Sequence, residues 1–215
     1  QFVDDIVLTK FKGSLHFVSH SMGGAIGLRY LQTQVHPFKK AVFSSPMWAL
    51  RSGSVPNSIA KGIITTVTTL NSWVSDQSPY FFGGKEYNPV PFEENELTHS
   101  KVRYQTFRDI YTKEPKLHLG SVTFDWIEQS MDALDNAFDD LDKIQLPILV
   151  MQSGADSVID NDGQNRFCER LKEVGNPCQS GQPIVILDAK HELFIEQDNI
   201  RTIVLSKVLS FLAED

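Results

Sequence analysis

Leu15-His16-Phe17-Val18-Ser19-His20-Ser21-Met22-Gly23-Gly24-Ala25 is the stretch that decides the fold. Leu15 to Ser19 read as a strand, and the residues after Ser21 open a helix. A strand that reverses tightly into a helix forces the residue at the turn into a strained conformation and exposes its side-chain oxygen. Small neighbours are therefore required, and Gly23 and Gly24 supply them on the helix side. On the strand side Ser19 stands where glycine is usual in the G-x-S-x-G elbow. The competing reading of Ser21 is an ordinary N-cap serine after a strand.

A serine hydroxyl is a weak nucleophile unless a base accepts its proton and a carboxylate orients that base. Both partners follow in the chain. Pro147-Ile148-Leu149-Val150-Met151 is an apolar run of the kind that forms a strand buried on both faces, and Ser153-Gly154-Ala155-Asp156 leaves it. Pro183-Ile184-Val185-Ile186-Leu187 is a second such run, and Asp188-Ala189-Lys190-His191 leaves that one. In an open parallel sheet the carboxyl ends of the strands share one edge, which brings Ser21, Asp156 and His191 together. Asp160 is a rival acid, although Asp156 sits nearer its strand. Among the other histidines none follows a late strand. His20 fills the variable slot of the elbow and reads as a packed or solvated side chain, while Glu192 and Asp188 read as local charges or caps.

The order Ser, Asp, His is that of the α/β-hydrolases. The elbow, the Gly154-Ala155-Asp156-Ser157-Val158 loop and Lys190-His191-Glu192-Leu193 resemble the monoglyceride-lipase and lysophospholipase branch of that superfamily. Leu97-Thr98-His99-Ser100-Lys101-Val102-Arg103-Tyr104, Gly120-Ser121-Val122-Thr123-Phe124-Asp125-Trp126 and Arg166-Phe167-Cys168-Glu169 resemble the bacterial lysophospholipases of the L-two type. The resemblance runs from about Gln1 to the C-terminus. It implies nucleophile Ser21, acid Asp156, base His191, and hydrolysis of the remaining acyl ester of a lysophospholipid, with acyl transfer to a second lipid as a variant. Other esterases with the same triad, such as monoacylglycerol lipases or thioesterases, are the alternative; a catalytically incomplete binding or scaffold module is the reading from another class.

The fold expected is α/β: a partial α/β-hydrolase with a parallel sheet of about four strands, flanked by helices and carrying a mainly helical cap. The expected strands lie near 15–19, 41–45, 147–153 and 183–188. A full sheet of this type has further strands before the nucleophile strand, with a turn supplying one oxyanion amide. Gln1 to Lys12 instead read as one helix with Phe2 and Ile6 inward, so the chain is expected to be the C-terminal two-thirds of a larger protein. The backbone N–H of Met22 is the oxyanion donor that the elbow provides. An outer edge left bare at the first strand predicts pairing with a second copy or with an N-terminal fragment.

Three segments are expected: 1–45 as the first part of the core, 46–145 as a cap, and 146–215 as the second part of the core. In the cap, Ile59, Ile63, Val67, Leu70, Trp73 and Val74 recur at near-helical spacing, followed by a loop with Phe81, Phe82, Pro89, Pro91 and Phe92. Phe124, Ile127, Met131, Leu134, Phe138 and Leu141 form a second apolar stripe. These faces pack the cap against the body, wall an acyl-chain pocket or dip into a lipid surface; Trp73, Phe81, Phe82 and Trp126 are the candidate substrate-binding residues. The last helix, with Ile200, Ile203, Val204, Val208, Phe211 and Leu212 on one stripe, is expected to pack on the sheet.

Composition bounds the partners. The chain has 215 residues, 41% of them hydrophobic, and a formal net charge of −7. This argues against nucleic acid and against electrostatic attachment to anionic lipid, so any peripheral membrane contact must be apolar. The substrate expected is a lipid-like small molecule, with no cofactor and no metal, and the expected location is cytoplasmic or peripheral on the bacterial inner membrane. Cys168 falls on an amphipathic helix with Phe167 and Leu171 and is expected to be a buried free thiol, although pairing with Cys178 is open.

Overall fold

The computed structural model describes residues 2–51 and 57–214. Its centre is a four-stranded parallel sheet in the order β1-β2-β3-β4, formed by Leu15–His20, Phe38–Ser44, Ile148–Ser153 and Ile184–Ile186. The strands are those expected, with β2 longer at its start and β4 shorter at both ends. β1 occupies one outer position.

Alternation along the two central strands divides the core into halves. Ala41 and Phe43 of β2 and Ile148 and Val150 of β3 point to one face, where they meet Leu28 and Leu31 of α2 (Met22–Thr33) and Phe167 and Leu171 of α6 (Asp162–Glu173). Val42, Leu149 and Met151 point to the other, against Val204, Val208 and Phe211 of α7 (Asp198–Ala213). Burial on both faces is why these strands read as continuous apolar runs rather than alternating ones.

Between β2 and β3 lie α3 (Asn57–Ser72), α4 (Lys101–Lys113) and α5 (Phe124–Asp139), with short turns between them. Ser100 and Thr123 cap α4 and α5 by accepting from the backbone N–H groups of Arg103 and Trp126. α5 joins two clusters. Leu134 and Ala137 belong to the main core, whereas Phe124 and Ile127 pack with Ile64 of α3. The stripe expected on α3 is only partly inward: Val67 packs on this small cluster, while Ile59, Ile63, Leu70, Trp73 and Val74 are exposed. α3 meets the apolar side of α5 through Ile64 and Val67, so its predicted stripe extends beyond the strip that its neighbour covers.

Two expectations are corrected. The N-terminal segment is a wide turn of helix at Val3–Val7, followed by the short α1 (Leu8–Lys10), and leaves Phe2 and Ile6 exposed. The wide turn bonds five residues apart, so side chains spaced four apart no longer share a face. Cys168 is not a free thiol but is bonded to Cys178, with Cα atoms 5.5 Å apart. Gly175, at φ +88°, turns the chain after α6 so that Cys178 comes back against the helix.

Candidate active site

Ser21 follows β1 directly and precedes the first residue of α2. Its backbone has φ 51° and ψ −124°, a conformation that a residue with a side chain adopts only when its surroundings enforce it. Three bonds do so. Ser21 N–H donates to the Ser44 carbonyl at 3.1 Å, and the Ser21 carbonyl accepts from Gly24 N–H at 2.8 Å and Met47 N–H at 2.9 Å. The glycines of the elbow do different work. A Cβ on Gly24 would come within 2.5 Å of the Pro46 Cβ, in the loop leaving β2, whereas one on Gly23 would lie 3.9 Å from the Ser19 Cβ. Ser19 thus stands in place of the usual glycine without crowding the helix, since even a Cβ at position 23 would meet it at ordinary contact distance.

Asp156 leaves β3 within a tight loop. Its Oδ1 accepts from the N–H groups of Val158 at 2.9 Å and Ile159 at 3.1 Å, and its Oδ2 accepts from His191 Nδ1 at 2.8 Å. Burial opposes ionisation of this carboxyl. The His191 bond and charge, with the two loop amides, outweigh burial and hold it below the ordinary carboxylate range. The rival Asp160 is spent on a local turn, accepting from Asp162 N–H.

The base loop after β4 is stitched to the acid loop. Gly154 N–H donates to the Ile186 carbonyl and Ala155 N–H to the Ala189 carbonyl, both at 2.9 Å. A side chain at 154 would press on Ile186 and Leu187 backbone atoms, so glycine is needed for this approach. His191 is buried, and its Nε2 lies 2.9 Å from Ser21 Oγ. Because the Asp156 carboxylate can only accept, Nδ1 carries the proton and Nε2 is left to accept from the Ser21 hydroxyl. The three residues are therefore one chain of hydrogen bonds, with a proton acceptor poised on the serine. The Met22 N–H stands at the first turn of α2, where helix geometry provides no intrahelical acceptor.

Other parts of the neighbourhood were not legible in the sequence. His20 Nδ1 is 3.0 Å from the Ser44 carbonyl, its Nε2 approaches Glu192 Oε1 at 3.2 Å in an unaligned charge contact, and its ring centre is 4.8 Å from that of His191. Burial raises the Glu192 pKa, but the proximity of His20 and, after it, of His191 brings it below the ordinary value. Adjacency of Glu192 to His191 was the available signal; the pairing with His20 comes from β1 and is not local. The four candidate substrate-binding residues lie in the segment between β2 and β3. Phe81 and Trp126 pack on the cluster of Ile64, Phe124 and Ile127, Phe82 is 71% exposed with its ring against Phe81 and Phe124, and Trp73 is 76% exposed. The structure brings Ser21, Asp156 and His191 together, whereas the hydrogen bonds and ring contacts that join these three include none of the four aromatics. No group of metal-binding side chains occurs among the described residues.

Known proteins share both fold and sequence with the chain. It is 29% identical over 196 residues to "Lysophospholipase L2" of Escherichia coli (strain K12), covering 91% of this chain and 56% of that protein. It is 32% identical over 197 residues to "Probable lysophospholipase L2" of Haemophilus influenzae, covering 92% and 59%. The chain thus spans little more than half the length of these relatives. Its fold matches a monoacylglycerol lipase from Paleococcus ferrophilus (TM-score 0.63, 20% identity, 96% of this chain and 72% of that one). It also matches a soluble variant of a Saccharomyces cerevisiae monoglyceride lipase (TM-score 0.66, 19% identity, 97% and 65%). Residues 1–198 match the family described as serine aminopeptidase, S33. With that match across nearly its whole length, and a parallel sheet whose first strand ends in a strained serine elbow, the chain belongs to the serine aminopeptidase S33 family of α/β-hydrolases.

Proposed function

We propose that the protein is a serine hydrolase that cleaves the acyl ester of lysophospholipids through an acyl-enzyme. The observation that carries this reading is the hydrogen-bonded chain from Ser21 Oγ through His191 to Asp156, at 2.9 and 2.8 Å. In the first step Ser21 Oγ bonds to the acyl carbon while its proton passes to His191 Nε2, and Asp156 stabilises the imidazolium that results. The tetrahedral oxyanion forms beside the Met22 N–H. The ester C–O bond then breaks, the leaving alcohol takes the proton from His191, and the acyl-serine remains. Water, or a lipid alcohol in an acyl transfer, repeats the sequence in reverse and frees Ser21.

The relatives' names support a lysophospholipid as substrate, and the exposed face of α3 supports a lipid-facing cap. In this reading residues 46–145 cover the site, and Ile59, Ile63, Leu70, Trp73 and Val74 meet an apolar aggregate or bilayer surface. No helix of the described residues is long and apolar enough to cross a membrane. The outer edge of β1 is open to a further strand, from a second copy or from another part of a longer protein.

The test is labelling of the purified chain with a fluorophosphonate, mapping of the modified peptide, and competition by lysophosphatidylcholine, monoacylglycerol and acyl-CoA. Labelling at Ser21 with lysophosphatidylcholine the strongest competitor is the expected result. Labelling elsewhere, or full turnover in a Ser21→Ala protein, would overturn the mechanism; stronger competition by monoacylglycerol or acyl-CoA would overturn the substrate.

A further inference from the structure

Glu196 is a carboxylate with no solvent exposure, five residues after His191 and outside the hydrogen-bonded chain of the site. Four N–H groups donate to its oxygens. Oε1 accepts from Lys190 N–H at 2.9 Å and His99 Nδ1–H at 2.8 Å; Oε2 accepts from His99 N–H at 3.0 Å and Gln197 N–H at 2.9 Å. A buried charge is tolerated when its lone pairs are all used, and charge-assisted bonds of this kind are the strong ones. Burial opposes its ionisation, but the N–H groups of Lys190, Gln197 and His99 outweigh that and lower its pKa.

The donors come from two places. Lys190 and Gln197 belong to the segment that carries His191, whereas His99 belongs to the stretch leading into α4, one of the motifs quoted above. Further bonds run beside the carboxylate: Glu192 N–H donates to the Leu97 carbonyl at 2.9 Å, Lys190 Nζ to the Asn95 carbonyl at 2.6 Å, and Thr98 Oγ1 to the Ile195 carbonyl at 2.8 Å. The amides on both sides of His191 are therefore held, that of Lys190 by the Glu196 carboxylate and that of Glu192 by the Leu97 carbonyl.

The geometry assigns Glu196 the role of a positioning residue that locks the His191 loop to the Thr98–His99 segment and so fixes the imidazole on Ser21. This rests on the reading of His191 as the base. A carboxylate suits the task because it satisfies donors from both segments at once. In Glu196→Gln one acceptor oxygen becomes an amide NH₂ facing groups that already donate. His99 can change tautomer and accept from it, but the Lys190 N–H cannot, so the loss falls next to His191.

The experiment compares wild type, Glu196→Gln and His99→Ala by fluorophosphonate inactivation below their melting temperatures, with hydrogen exchange at the Lys190 and Glu192 amides. Glu196→Gln is expected to lower the maximal inactivation rate at Ser21 by about tenfold to a hundredfold, with half-saturation unchanged and faster exchange at both amides. His99→Ala, which removes one ring donor at the exposed end, is expected to lower the rate roughly threefold. A folded Glu196→Gln protein with a lowered melting temperature but wild-type inactivation would reduce Glu196 to a staple and overturn the proposal alone. Should Glu196→Gln not fold, His99→Ala decides: the expected slowing upholds the proposal, and wild-type rate and exchange overturn it. Wild-type protein that is not labelled at Ser21 would remove the reading of the site, and the proposal with it.

Discussion

Ser21 and His191, 170 positions apart in the chain, meet at 2.9 Å at the carboxyl edge of the sheet. The meeting is a product of topology. Ser21 follows β1 and His191 lies in the loop leaving β4, the two outer strands, while Asp156 in the loop after β3 bonds to the imidazole.

Asp156→Asn tests the orientation of His191. The asparagine oxygen can still accept from the Val158 and Ile159 amides, which turns its NH₂ toward His191 Nδ1. The ring must then carry its proton on Nε2, facing Ser21, where it cannot act as a base. Esterase turnover or fluorophosphonate labelling should fall by about a thousandfold to ten-thousandfold, in a protein that still folds.

The two elbow glycines should respond oppositely to alanine. Gly24→Ala drives a Cβ to 2.5 Å from the Pro46 Cβ and 3.0 Å from its Cα, so the chain must shift beneath the nucleophile; the expected cost is about 1–3 kcal/mol. Gly23→Ala meets ordinary contact at 3.9 Å and gains helix propensity, about 0.5–1 kcal/mol. Urea unfolding of both variants measures the difference.

The Cys168–Cys178 bond closes a short loop, with the two residues 10 positions apart. Its removal by Cys168→Ala/Cys178→Ala should cost about 2–3 kcal/mol, most of it through the unfolded chain. The wild-type melting temperature should fall with added dithiothreitol and that of the double variant should not. Labelling of Ser21 at low temperature should be the same in both.

Acid should unfold the protein partly through Glu196. Its folded pKa lies below the ordinary 4.5, because amide and imidazole donors outweigh burial. A depressed carboxylate pKa contributes stability that is complete above the unfolded value and lost as pH falls through the folded one. The unfolding free energy should therefore be level from Glu196 at neutral pH and decline below about pH 4.5, and the decline should be shallower in Glu196→Gln. Denaturation curves at a series of pH values would show it.

The strands and the elbow were legible because their signals are local: apolar runs buried on both faces, a small-residue turn, and loops placed just after strand ends. The long stripe of α5 was legible for the same reason, and so was that of α7 apart from Ile203, which is exposed. What escaped the sequence depends on distant partners. Cys168 looked like a core thiol because its helix face is apolar; nothing within that helix says that Gly175 returns Cys178 to it. The α3 pattern left open whether its apolar face is packed or lipid-facing, because the width of a neighbour is not written in a helix's own periodicity. Glu196 gives no signal in its own stretch of sequence, because its donor His99 lies nearly a hundred positions away.

The backbone of Ser21 has a wider consequence for how this protein balances durability against use. At φ 51° and ψ −124° the serine occupies a conformation that glycine would accept readily. Ser21→Gly should therefore melt higher than both wild type and Ser21→Ala, by roughly 1 kcal/mol, while losing its reactive oxygen. Under the proposed mechanism the sturdiest version of the chain is then an inert one, and selection for turnover would hold the natural sequence below its stability optimum at this residue.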